Sequence, residues 1–299
     1  MHPDQLAALD AIATHGTFEA AARALGVSTS AVSQRVRALE ASLGRILVSR
    51  GTPSTMTDDG AVVLRYARQQ ALLAQEMAGE LELEATAGGP VREPGGSGSP
   101  APVRLSVAVN ADSLQTWFTG VLERASDRDV VLELVVADEK RTTELLRSGR
   151  VMCAVSTAGA RVAGCRVSRL GTLRYTPSIA PGLLERTRRA LGHEPSAGDL
   201  PTVRFDPDDD LQDLALAAAG LPPQRPRALV PTAAGFAAAI EAGLGWGALP
   251  PGQLAAHPGL VAVPGLEAVD RELFWHRWSI ASPSLDSLTD DVAEAFAGS

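Results

Sequence analysis

Small and apolar residues between Thr17 and Gly44, in TFEAAARALGVSTSAVSQRVRALEASLG, fall where two short helices must cross closely around a tight turn. A helix starting near Phe18 puts Ala22 at the closest approach, Gly26 at a turn needing a positive φ, and Val32 back in the shared core. Thr17 and Ser28 each precede a helical run and are placed to cap it. The pattern is that of a helix-turn-helix, with the second helix running from Ser28 to about Ser42. From Thr57 to about Ala85 the apolar period lengthens, and Val62, Tyr66, Leu73, Met77 and Leu81 form one helical stripe. One helix cannot bury that stripe by itself, so it calls for a partner, most simply the same helix of a second subunit.

Beyond Val103 the period changes again. VRLSVAV, VVLELVV and VMCAVS are strand-like, and the first two each lead into a helical stretch, which predicts a mainly parallel α/β sheet. Strand candidates at 202–205, 228–230 and 246–249 predict a second α/β unit, after which LFWHRWSIA returns the chain to the first. Two subdomains joined by two crossings enclose a cleft.

On the face of the second helix away from the core, Thr29, Ser30, Ser33, Gln34 and Arg37 recur at three- and four-residue spacing. Arg35 and Arg37 suit phosphate or guanine, and Ser30, Ser33 and Gln34 suit base edges. The net charge of −8 argues against a protein that coats nucleic acid by bulk electrostatics. DNA contact must then come from a local patch, Arg35, Arg37, Arg45 and Arg50 against Glu40, touching few phosphates. The 299 residues suffice for two or three domains with cores of their own. Cys153 and Cys165 form no metal-spaced cluster with the five histidines and read as reduced thiols. Charged residues interrupt every apolar run near Met1, and no stretch reaches the ~20 apolar residues of a membrane span, so a cytoplasmic protein without membrane contact is expected.

AAARALGVSTSAVSQRVRALEASLG, followed by Leu47, Arg50, Thr57 and Gly60, closely resembles the N-terminal winged helix-turn-helix of LysR-type transcriptional regulators. It departs at Thr29, where that family often has glutamine, and at Val48, where a phenylalanine commonly precedes the wing arginine. Pattern and resemblance together give a winged helix-turn-helix at 1–60, a dimerising linker helix at 61–87 and a Gly/Pro/Ser-rich hinge at 88–102. A periplasmic-binding-protein-like effector domain follows at 103–299, with subdomain I about 103–172 and 266–299 and subdomain II about 173–265.

Ligands of open α/β sheets sit beyond the carboxyl ends of strands. That rule selects Asn110, Ala111, Asp112 and Ser113, then Asp138, Glu139 and Arg141, then Ser156 and Thr157, Asp206 and Thr232. Asn110 to Ser113 precede a helix whose free N–H groups can hold a carboxylate. Asp138, Glu139, Asp206 and the run Asp208 to Asp210 supply negative charge for a cationic end, so a basic α-amino acid suits both. VAVNADSLQTWF, ADEKRTTELLRSGRV, FDPDDDLQ and LFWHRW resemble one subgroup of the family, which controls export of basic amino acids. The resemblance implies L-lysine or L-arginine as co-effector, without other cofactor or metal, and an exporter gene as target. It also implies a homodimer assembling to a homotetramer on double-stranded promoter DNA, with RNA polymerase downstream. Within that reading Ser113 takes the α-carboxylate, Asp138, Glu139 and Asp206 the ammonium, and Trp275 lines the cleft, although Trp275 and His276 lie in an apolar strand pattern typical of a core. An enzyme is the competing class. Gly243, Gly245 and Gly247 lack the full phosphate-loop spacing, and no nucleophile, metal or triad arrangement is present to support one.

Overall fold

The computed structural model describes residues 1–81, 102–137 and 139–298. The expected hinge, apart from Pro102, and the last residues of the expected linker helix, 82–87, lie outside them.

The N-terminal domain opens with α1 (Pro3–His15), a helix the sequence analysis did not read, capped by His2 and closed by Gly16 at φ 76°. It brings Leu6, Leu9 and Ile12 into the core. At about 1.5–3 kcal/mol for each fully buried aliphatic side chain, α1 contributes much of the burial that holds the domain together. α2 (Phe18–Ala24) and α3 (Thr29–Leu43) follow as expected. Thr17 Oγ1 accepts the Ala20 N–H at 3.1 Å, and Ser28 Oγ accepts that of Ala31 at 3.2 Å. Gly26 has φ 64°, and Ala22 and Val32 are buried. Strands β1 (Val48–Ser49) and β2 (Thr55–Met56) pair antiparallel as the wing.

Gly60 begins to make sense here. A β-carbon at that position would lie 2.0 Å from the Leu47 carbonyl oxygen, so only glycine lets the next helix approach the wing. That helix is α4 (Asp58–Glu80), capped by Thr57. Val62, Tyr66, Leu73, Met77 and Leu81 are between 41% and 59% exposed, so the stripe is uncovered within one chain. A second stripe, Arg65, Arg68, Leu72 and Glu76, is turned roughly a third of the way around the helix and docks on the effector domain. Arg65 Nη1 donates to the Ala163 carbonyl at 2.9 Å and Arg68 Nη1 to that of Gly149 at 2.8 Å. Leu72 is a member of the effector domain's main core cluster.

The effector domain runs β3 (Val103–Val109), α5 (Ala111–Gln115), α6 (Thr119–Ala125), β4 (Val130–Val136), α7 (Glu139–Arg147) and β5 (Cys153–Ser156). β4, β3 and β5 are parallel, as expected. Next comes β6 (Cys165–Ile179), a 15-residue strand absent from the sequence reading. In its first half Arg166, Ser168, Arg169 and Thr172 face water and interrupt Val167 and Leu170, so no apolar run marks it. Then follow α8 (Pro181–Leu191), β7 (Val203–Arg204), α9 (Leu211–Ala218), β8 (Ala228–Leu229), α10 (Ala233–Glu241), β9 (Gly247–Leu249), α11 (Pro251–Ala256) and β10 (Val261–Ala262). β11 (Val269–Trp278) and α12 (Pro283–Ala297) complete the chain.

β6 and β11 pair antiparallel from Cys165 opposite Trp278 to Tyr175 opposite Val269, and both pass between the subdomains. The sheet order β10-β6-β11-β5-β3-β4 is therefore mixed rather than mainly parallel, with β9 also paired to β6. The expected subdomain boundary at 172 falls inside β6. Cys153 and Cys165 are free thiols on β5 and β6, separated by β11, and burial pushes both thiol pKa values up.

Candidate DNA-binding face and effector cleft

α3 is oriented by its buried side. Val32, Val36 and Leu39 fill the core, and because residues three and four apart share a helix face, Thr29, Ser30, Gln34 and Arg37 are left exposed with Ser33 half-buried among them. The Ser28 and Ser30 hydroxyls are 2.9 Å apart at the first turn. Hydroxyls, an amide and a guanidinium on one protruding helix are the chemistry that reads major-groove edges. Arg35 corrects the sequence reading: it lies on the far side, and its Nη2 donates to Asp4 Oδ2 of α1 at 3.0 Å, so it braces α3 instead of joining that face. The exposed Arg50 at the wing holds its guanidinium carbon 5.4 Å from the centre of the Phe18 ring. Glu40 is also occupied, its Oε1 accepting the N–H groups of Leu47 and Val48 at 2.8 and 3.3 Å. The acid thus anchors the wing.

In the effector domain the turn after β3 is built by Asn110, whose Oδ1 accepts the Ser113 N–H at 2.7 Å. Ser113 is fully buried and its hydroxyl has no hydrogen-bond partner. Asp112 beside it is half-buried and receives Gln253 Nε2 at 3.1 Å and a hydrogen bond from the Tyr175 hydroxyl. Gln253 comes from α11 in subdomain II, so this contact spans the two subdomains. Next to it, a β-carbon on Gly252 would lie 3.1 Å from Thr116 Cγ2, which shows how closely α11 approaches the turn after α5.

Burial raises the Asp112 pKa above its ordinary 3.8, opposed by the hydrogen bonds from Tyr175 and Gln253 and reinforced by the charge of Asp209. Asp209 is raised for the same first cause, although it accepts the N–H groups of Phe205 and Leu211 at 2.9 and 3.2 Å. Tyr175 stands well above 10 through burial and the adjacent Asp112, partly offset by Arg271. Arg271 of β11 is in turn paired with Asp210. Two desolvated carboxyl groups near one phenol make a site that gains from a cation.

Several expected cleft residues are employed differently. Trp275 is only 1% exposed, lies opposite Val155 of β5 and donates its Nε1–H to Thr289 Oγ1 of α12 at 3.1 Å. It is core, because β11 is a central strand buried beneath α12, and it does not line the cleft. Asp206 Oδ1 accepts the N–H groups of Asp208 and Asp209 at 2.8 and 2.9 Å, shaping the loop that presents Asp209. Thr232 is exposed and caps α10 through the Gly235 N–H. Ser156 is buried and receives the Ala158 N–H at 3.0 Å. Asp138 and the side chain of Glu139 lie outside the described residues. The sequence reading missed Tyr175, Gln253 and Arg271, and held Asp209 only as part of an acidic run. Among the described residues no group of three or more His, Cys, Asp or Glu side chains is placed to hold a metal ion, and no helix is long and apolar enough to cross a membrane.

A winged helix-turn-helix joined through one helix to a two-subdomain α/β domain is the architecture of a ligand-responsive DNA-binding regulator. Residues 3–61 match the bacterial regulatory helix-turn-helix protein model of the lysR family, and residues 100–297 match the LysR substrate binding domain. The chain belongs to the LysR family of transcriptional regulators, which are not enzymes. The lysine export transcriptional regulatory protein LysG of Corynebacterium efficiens is 41% identical, over 99% of this chain and 98% of its own. The crystal structure of ArgP from Mycobacterium tuberculosis, 37% identical, is similar with a TM-score of 0.82 over 98% of this chain and 97% of that one. Full-length LysG from Corynebacterium glutamicum with bound effector Arg, 38% identical, gives 0.75 over 100% and 99%.

Proposed function

We propose that this regulator senses L-lysine or L-arginine in its effector cleft and controls transcription of an amino-acid exporter gene from promoter DNA, in the cytoplasm. The observation that carries the reading is the pair of desolvated carboxyl groups, Asp112 and Asp209, beside Tyr175 at the contact between subdomains. An amino acid with a cationic side chain brings two positive groups to offset the cost of ionising them, whereas one with an alkyl side chain brings only its α-ammonium. The partnerless hydroxyl of Ser113, one residue from Asp112, is the group to meet the effector carboxylate. Relatives named for lysine export and a related structure with bound Arg support the same ligand class. Thr29, Ser30, Ser33, Gln34, Arg37 and Arg50 form the DNA-reading set in this proposal. The exposed stripe of α4 pairs two chains, two such dimers form a tetramer on DNA, and the complex acts on RNA polymerase.

An effector regulates only through the difference in its affinity for the alternative arrangements of the protein. A gel-shift on the DNA upstream of a neighbouring exporter gene, with and without lysine or arginine, tests DNA, effector and target together. A changed mobility or affinity of the complex with either amino acid is expected. A shift indifferent to both overturns the effector assignment and leaves the family standing.

A further inference from the structure

The geometry points to Gln253 as a direct contact of the effector's cationic nitrogen and as a residue that sets the preference for a charged over an uncharged effector side chain; this rests on the basic-amino-acid reading above. Gln253 is 4% exposed although it belongs to a short helix at the surface of subdomain II. Its Nε2 donates to Asp112 Oδ1 at 3.1 Å, and its Oε1 is buried without any partner. Both atoms share one amide carbon, so the unpaired oxygen lies at the same contact between the subdomains as the Asp112 carboxyl.

A buried carbonyl oxygen lacking a donor is unfavourable, and native structures seldom leave one without a reason. The groups near it do not supply that donor. The Tyr175 hydroxyl is already engaged with Asp112, Asp112 and Asp209 are acceptors when ionised, and Arg271, whose charge acts on Tyr175, is paired with Asp210. An incoming ammonium carries three N–H donors and a guanidinium five. One N–H answers Asp112 and another answers Gln253 Oε1, so a single nitrogenous group joins a carboxylate of subdomain I to an amide of subdomain II. An alkyl side chain of equal length supplies neither bond. A site built to hydrogen-bond a ligand group rejects the analogue lacking it because the site's own polar atoms stay unpaired.

The test is isothermal titration of the full chain with lysine, arginine and norleucine, using Gln253→Leu and Gln253→Glu, with thermal unfolding of each variant as the control for folding. Gln253→Leu is expected to weaken lysine and arginine at least tenfold and norleucine hardly at all, so that discrimination falls. Gln253→Glu keeps an acceptor oxygen and adds charge, and is expected to bind both cations at least as tightly as the unmodified chain. If Gln253→Leu retains full affinity and discrimination, or Gln253→Glu loses as much as Gln253→Leu, Gln253 only packs the contact and the inference falls. Should Gln253→Leu not fold, Gln253→Glu alone decides. Norleucine binding the unmodified chain as tightly as lysine overturns the effector reading itself, and this one with it.

Discussion

Glu76 and Ser282, 206 positions apart, meet where the linker helix lies on the effector domain. Glu76 Oε1 accepts the Ser282 hydroxyl at 2.6 Å and the Ser284 N–H at 3.0 Å, while Ser282 Oγ itself accepts the Leu285 N–H as the cap of α12. A carboxylate at the N-terminus of a helix also benefits from the helix dipole. Glu76→Ala leaves buried donors unpaired and is expected to cost about 1–3 kcal/mol, read as a lowered urea midpoint of the whole chain. An unchanged midpoint means the contact does not hold the two parts together.

Base reading should separate from bracing. Gln34→Ala or Arg37→Ala is expected to lose about 1–3 kcal/mol of specific DNA affinity per base contact, with effector binding intact. Arg35→Ala should instead lower domain stability, through its bond to Asp4, and leave the preference for specific over random DNA unchanged. Anisotropy titrations on both kinds of DNA, alongside thermal unfolding, distinguish the two roles; equal losses of Gln34→Ala on random DNA would make it a backbone contact.

Asp112 makes stability depend on pH with a definite sign. Burial holds its folded pKa above the ordinary 3.8, so the folded chain keeps the proton more tightly than the unfolded one. The associated stability is complete below the ordinary value and is lost as pH climbs through the raised one. Asp112→Asn removes that loss: near neutral pH the effector-free variant should be more stable, with a flatter profile as pH rises above about 4, yet bind lysine and arginine poorly. A variant profile as steep as that of the unmodified chain would falsify the assignment to Asp112.

The acidic loop offers a paired comparison. Asp209→Asn should weaken a basic effector by about 2–5 kcal/mol, the usual cost of truncating one partner of a desolvated charge pair. Asp206→Asn keeps an acceptor for the N–H groups of Asp208 and Asp209 and should change affinity little. Calorimetry on both variants settles which aspartate carries the charge, and the reverse order would restore Asp206 as the ligand residue.

What the sequence made legible was what local chemistry decides. Caps at Thr17 and Ser28, the positive φ of Gly26 and the exposed face of α3 all follow from residue type and period, and the structure agrees with them. The parallel strands were legible because buried parallel strands are continuous apolar runs. β6 was not, since water-facing arginines and small polar residues break up its apolar positions over its first half. The contact around Asp112 was legible only in part: the rule of strand ends selects Asn110, Asp112 and Ser113, but Tyr175 and Gln253, which bond Asp112, arrive from a hidden strand and a six-residue helix. Which aspartate of Asp206 to Asp210 turns inward depends on the loop's own hydrogen bonds, which composition does not specify.

Leu72 carries a practical consequence for how this protein can be cut. Composition invites a boundary at the Gly/Pro/Ser run near residue 100, yet Leu72 is 1% exposed within the core cluster of the domain that begins after it. A fragment starting at Val103 leaves behind both that side chain and the carboxylate that caps α12, and exposes a bare apolar dimple in their place. A piece that retains that interior whole therefore starts no later than Leu72 of α4, ahead of the run that looks like a seam. Fragments designed on that basis keep the helix from about Asp58 onward, so that Leu72 and Glu76 travel with the core and the cap they complete.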